Sequence, residues 1–172
     1  MKSLVLIFMS FFFICYLKAQ IQNISSLDLL FKDRTIEVVE NDLRNYHFDL
    51  DTAQKIKTND GRILRVYTYR QNNSSNLIRE TIIIFKEEND LKPWIEEVAF
   101  MTSDSNKYYK FKDVLKGMSG AKIKGDDIQD ECSVTRYWYN ATNYDFKICK
   151  DKKLEINSYN IILSHNYPPG IK

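Results

Sequence analysis

Read for hydrophobic spacing alone, the chain changes period several times. From Ser25 to Phe48 apolar residues recur at three- and four-residue intervals: Leu27, Leu30 and Phe31, then Ile36, Val39, Leu43 and Tyr46. That spacing predicts amphipathic helix in two pieces, with Ser26 as candidate cap of the first and Asp33 or Thr35 of the second. A polar linker ending Asn59-Asp60-Gly61 follows. The pattern then turns to β-branched and aromatic runs: ILRVYTYRQ at 63–71, IRETIIIFKEE at 78–88 and WIEEVAFMTS at 94–103. The turn cluster NNSSN at 72–76 separates the first two, and Asn89-Asp90 with Pro93 separates the last two. Such runs between turn signals predict an antiparallel meander.

The same order then returns. Asp104 or Ser105 is placed to cap a helix carrying Tyr108, Phe111, Leu115 and Met118 on one side, with Gly117 and Gly120 near its end. Strand-like runs follow at 133–141, 145–151 and 155–166. The Tyr-Thr-Tyr of 67–69 corresponds to the Tyr-Trp-Tyr of 137–139, the Ile-Ile-Ile-Phe of 82–85 to Phe-Lys-Ile at 146–148, and Val-Ala-Phe at 98–100 to Ile-Ile-Leu at 161–163. The expectation is an α+β fold of two tandem α-β-β-β repeats, about 25–103 and about 104–166. One helix over a three-stranded meander cannot close a core, so the two halves are expected to share one antiparallel sheet of about six strands, with helices on one face. The opposite face is then left partly open.

The first residues change the picture of where this happens. Lys2 precedes an apolar stretch from Leu4 to Leu17, and Lys18-Ala19-Gln20 supplies a small residue for cleavage. That is the layout of a secretory signal, and the stretch is shorter than the roughly 20 residues a membrane span needs. Residues 1–19 are therefore read as a signal peptide and 20–172 as one domain, exported to the periplasm or the medium and left without a stable membrane anchor. The whole chain holds 25 basic and 23 acidic residues, and loss of Lys2 and Lys18 leaves 23 of each. A neutral chain with scattered charge argues against nucleic acid as partner. The last residues, 166–172, read as a short tail.

Two helix-plus-meander halves in a small exported chain resemble the architecture of the β-lactamase-inhibitor-protein-like fold. Their order and length are also similar to small exported proteins of Bacteroidetes. The resemblance is one of topology, and it carries no functional residue over to this chain.

After signal cleavage the remaining cysteines are Cys132 and Cys149, flanking an aromatic run and the sequence Asn140-Ala141-Thr142-Asn143. A four-residue loop there would set Tyr139 opposite Tyr144 and Val134 opposite Cys149, with Cys132 diagonal to Cys149 on the same face. A shift by one residue would send the cysteines to opposite faces. The exported compartment favours the four-residue loop with a disulfide stapling a hairpin, a closure contributing about 3 kcal/mol in the loop-entropy model.

Catalytic patterns are not evident. His47 and His165 lack companions at metal-ligand spacing, and no Gly-x-Ser-x-Gly or phosphate-binding glycine loop occurs. The adjacent acids Glu87-Glu88, Glu96-Glu97 and Asp126-Asp127 would point to opposite faces of a strand. Gly125-Asp126-Asp127 with Asp130 and Glu131 lacks a full calcium-loop pattern. No cofactor or metal is expected. Asn23, Asn73 and Asn140 begin glycosylation sequons. Tyrosine is the compositional excess, with 11 in the chain. Tyr67, Tyr69, Tyr137, Tyr139 and Tyr144 fall in corresponding strands and form the candidate interaction surface. The expected function is a non-enzymatic module binding another protein through a tyrosine-rich sheet face or the groove between halves. The alternative is a binder of a small ligand or a cell-envelope glycan.

Overall fold

The structure is a computed structural model describing residues 21, 23–31, 34–71, 80–88, 95–151 and 156–165. The signal segment and the tail fall outside these residues. Two short helices come first among the described residues, α1 (Ile24–Phe31) and α2 (Ile36–Asn45). Asn23, not Ser26, caps α1, its side-chain oxygen accepting from the Ser26 amide at 2.9 Å. Thr35 stands at the N-cap of α2. A third helix, α3 (Ser105–Gly117), begins at Asp104, whose carboxylate accepts from the amides of Asn106 and Lys107. In each the predicted apolar stripe is buried: Ile24, Leu27, Leu30 and Phe31; Ile36, Val39 and Leu43; Tyr108, Phe111 and Leu115.

The strands form one antiparallel sheet of eight, not about six. They are β1 (Phe48–Lys57), β2 (Ile63–Gln71), β3 (Glu80–Glu87), β4 (Glu97–Thr102), β5 (Lys122–Gln129), β6 (Cys132–Tyr139), β7 (Thr142–Asp151) and β8 (Ile156–His165). Their spatial order is β1-β2-β3-β4-β8-β7-β6-β5, so β4 and β8 meet in the middle and β1 and β5 are the edges. The two strands missing from the sequence reading are the two edges. After Phe48 every residue of β1 is exposed, and no residue of β5 is buried. A strand beyond the reach of the helices buries neither face, so it carries no alternating pattern to read. What read as a linker is β1 plus the turn before β2, where Gly61 takes a φ of +87°.

The register assigns the faces. Tyr69, Ile82, Phe100, Ile161 and Phe146 form one row across β2, β3, β4, β8 and β7. Tyr67, Ile84, Val98, Leu163, Tyr144 and Tyr137 form the next row on the same face. With the exception of the half-buried Tyr67, these rows belong to the buried core with the stripes of all three helices. Each fully buried Leu, Ile or Phe among them contributes about 1.5–3 kcal/mol through lost apolar exposure. Two polar bonds tie the halves together inside this layer. Tyr144 of β7 donates to Asp28 of α1 at 2.8 Å, and Lys107 of α3 donates to Glu80 of β3.

The cysteine hairpin differs from the expected one in register. Cys132 stands directly opposite Cys149, with Cα atoms 4.3 Å apart and sulfurs at disulfide-bonding distance. Tyr139 pairs with Thr142 and Tyr137 with Tyr144, so the loop holds two residues, Asn140 and Ala141. Both take positive φ, 47° and 61°. Positive φ at both central positions is the type I′ signature, whose twist matches the flanking strands. The preceding hairpin turns the same way at Asp130 and Glu131. Alanine in this region costs roughly 1–2 kcal/mol, which is why the tighter loop was not apparent from its residues. A slip of two residues keeps every side chain on its expected face. Ala141→Gly is predicted to relieve this strain, stabilising the protein by about 1 kcal/mol and raising its melting temperature by roughly 2–4 °C. Thermal unfolding followed by circular dichroism measures it.

Candidate functional site

All five candidate tyrosines lie on the face that the helices cover. Tyr69, Tyr137 and Tyr144 are buried, and Tyr67 and Tyr139 are half-buried against the same core. Burial, together with hydrogen bonds to Glu40 and Asp28, pushes the hydroxyls of Tyr69 and Tyr144 far above the ordinary tyrosine range. These side chains are core and its polar fastenings, so they do not form an uncovered surface.

The face left uncovered by the described residues is built from the alternate positions. Its middle row runs Thr68, Ile83, Ala99, Ile162, Asp145 and Arg136 from β2 across to β6. On one side lies Val66, Phe85, Glu97, Ser164, Asn143 and Trp138; on the other lies Arg70, Thr81, Met101, Asn160, Lys147 and Val134. Leu64, Val66, Ala99 and Val134 are buried yet lie outside the helix-side core, as residues of the opposite face must. Phe85, Ile83, Ala99, Met101 and Ile162 thus form an apolar band over β3, β4 and β8, with only Ala99 buried. The sequence did carry a signal for this band. Ile82-Ile83-Ile84-Phe85 and Val98-Ala99-Phe100-Met101 are continuous apolar runs, the pattern of strands apolar on both faces.

The β7–β6–β5 side of the face is charged. Arg136 lies 3.5 Å from Asp127 and 3.6 Å from Asp145. The Lys122 ammonium stands 6.0 Å from the centre of the Trp138 ring. The disulfide sits at the end of this side, where Asn160 approaches the Cys149 sulfur at 3.6 Å. At the border between band and charges stands Glu97. Burial pushes its carboxyl above the ordinary range; Lys147 counteracts this, while Asp145 and Glu96 push further up.

A separate cleft of about 360 Å³ lies on the helix side at the β1 edge, lined by Glu40, Arg44, Phe48, Asp49, Leu50 and Tyr69. The Tyr69 hydroxyl donates to Glu40 there at 2.9 Å. It adjoins an irregularity in the β1–β2 pairing between Leu50 and Thr52.

Other sequence candidates are scattered. His47 follows α2 in left-handed conformation, while the His165 ring lies against Phe31 with centroids 4.3 Å apart. The acid pairs split as expected for strands: Glu96 bonds Arg62 at 3.1 Å while Glu97 faces the open side. Asp126 and Asp127 likewise alternate along β5 rather than encircling a common point. Among the described residues no group of three or more His, Cys, Asp or Glu is arranged to hold a metal ion. Of the sequon asparagines, Asn140 occupies a hairpin tip, Asn23 caps α1 and Asn73 lies outside the described residues. No described helix is long and apolar enough to cross a membrane. Compared with known protein families, with characterised proteins and with solved structures, the chain matches none.

Glu97 yields a pH prediction. Its folded carboxyl holds a proton to higher pH than the unfolded one, so the folded state binds more protons in that interval. Stability is therefore full below the ordinary carboxylate range and declines as pH rises through the raised value. Glu97→Gln removes the ionisable group. It is expected to unfold at higher temperature than the parent at neutral pH and to flatten the decline between acid and neutral pH. Thermal melts across that range test both.

Proposed function

We propose that the protein is an exported, non-enzymatic interaction module that binds another protein through the uncovered face of its sheet, as an inhibitor or immunity-type binder does. The observation that carries this reading is the apolar band Phe85, Ile83, Ala99, Met101 and Ile162 beside paired charges on a continuous sheet. An apolar centre with a polar surround is the anatomy of a non-obligate interface. Eight strands spaced about 4.8 Å apart make a face of roughly 900 Å², close to the roughly 800 Å² per partner of a standard interface. The tyrosines contribute by building the layer beneath.

Export is supported by Lys2, the apolar Leu4–Leu17 stretch and Ala19 at the N-terminus, and the paired cysteines suit an oxidising compartment. An internal duplication is supported by the order of elements, helical segment then four strands in each half, with two helices in the first and one in the second. It is supported further by the edges. The pairing of β1 is interrupted just after Leu50, which faces Tyr69; that of β5 is interrupted just after Ile123, which faces Tyr137. An irregularity opposite a tyrosine of the neighbouring strand at each edge suits two copies of one unit, in the tandem manner of the β-lactamase-inhibitor-protein-like fold. The cleft at Glu40, Arg44 and Leu50 favours a second reading, a small ligand or envelope glycan held at the β1 edge.

Crosslinking and capture from the extracytoplasmic fraction of the source cells distinguishes the two. Ile83→Glu and Met101→Lys are each expected to lose a captured protein at least tenfold while keeping the parent circular dichroism spectrum. The control Ile123→Glu, on the β5 edge, should retain it. Capture indifferent to the band, or stabilisation by saccharides that Arg44→Ala abolishes, would overturn the sheet-face reading.

A further inference from the structure

The open face also carries information about the chemistry of what binds it. Glu97 lies between Phe85 and Ser164 across the strands, with Ala99 next on its own strand. Two arginines of the face are already paired: Arg136 lies beside Asp127 and Asp145, and Arg70 lies 3.2 Å from Asp51. Among the described residues no cation stands within ion-pairing distance of the Glu97 carboxylate. Lys147 acts on it only from farther off, and Asp145 and Glu96 add negative potential around it. A half-buried acid with no ion-pairing cation among the described residues, set beside an apolar band, is an unspent binding group.

Two symmetric stackings of a second copy centred on this sheet are unfavourable. Stacking two open faces about an axis along the rows sets Asp145 against Asp145 and Arg136 against Arg136. Stacking about an axis along the strands sets Ile83 against Asp145. Like charges and buried unpaired acids make either arrangement unfavourable. A different surface with opposite charge at this point avoids both conflicts.

Resting on the reading of the open face as a binding surface, we infer that the partner is a protein presenting a cationic side chain, flanked by apolar groups, to Glu97 at the rim of the band. An arginine or lysine there makes a charge-assisted bond to the carboxylate, lies beside the Phe85 ring and buries its stem on Ile162 and Ala99. Arginine suits the place better, because its guanidinium gives up water more readily and pairs with both carboxylate oxygens.

Benzamidine, an amidinium on an aromatic ring, is the probe, and benzamide is its uncharged counterpart. Each is titrated into the oxidised domain while backbone amide and isoleucine methyl signals are followed by NMR. The expected result is that benzamidine shifts Phe85, Glu97, Ala99 and Ile162 while benzamide at equal concentration binds roughly tenfold more weakly, a difference that Glu97→Gln removes. Equal shifts from both compounds would overturn the cation inference and leave the apolar face standing as a binding surface. Shifts confined to the Glu40 and Arg44 cleft, or none at all, would overturn the inference together with the reading it rests on.

Discussion

The pairing of β4 with β8, from Glu97 opposite Ser164 to Thr102 opposite Tyr159, is the contact on which the rest of the molecule depends. Each half by itself is a four-stranded meander with one edge inside and one outside. Joining the inner edges satisfies their backbone groups. It also brings Val98 and Phe100 alongside Leu163 and Ile161, where helices from both halves can cover them. Sheet continuity and core closure are thus one event. The buried polar bonds crossing between halves, Tyr144 to Asp28 and Lys107 to Glu80, follow from it and hold the helices in place. Burial raises the Glu80 carboxyl while Lys107 pulls it back down, so that pair adds specificity of docking more than net stability.

One-sided cover is the second consequence. Three short helices conceal the middle of one face and stop before the edges, which explains the exposure of β1 and β5. Both edges are interrupted in register and carry lysines, such as Lys55 and Lys57 on β1 and Lys122 and Lys124 on β5. These features discourage edge-to-edge association. Among the described residues no helix lies on the other face, yet its strands are apolar there too. A sheet that spends isoleucine, phenylalanine and methionine on both faces has two layers to fill, and the described residues supply one of them.

Helices and the inner strands are legible because each has a buried side that imposes periodicity. The edge strands had none. The hairpin at Asn140-Ala141 is two residues shorter than its sequence suggests because alanine rarely occupies a left-handed position, while each cysteine keeps the face that alternation assigns it. The tyrosines were placed in the right strands but on the wrong side. Alternation tells that Tyr67 and Tyr69 share a face; it does not tell which face the helices will choose. The decisive clue lay in the interruption of alternation at Ile82–Phe85 and Val98–Met101, where both faces are apolar.

Paramagnetic relaxation of isoleucine and methionine methyl signals by a soluble gadolinium chelate tests the two-sided account most directly. The account predicts strong broadening at Ile83, Met101 and Ile162, with Ile82, Ile84 and Ile161, each a sequence neighbour of a broadened residue, protected. Protection of both sets would mean that the open face is covered, and broadening of Ile82 and Ile84 instead would mean that the helices lie on the other side.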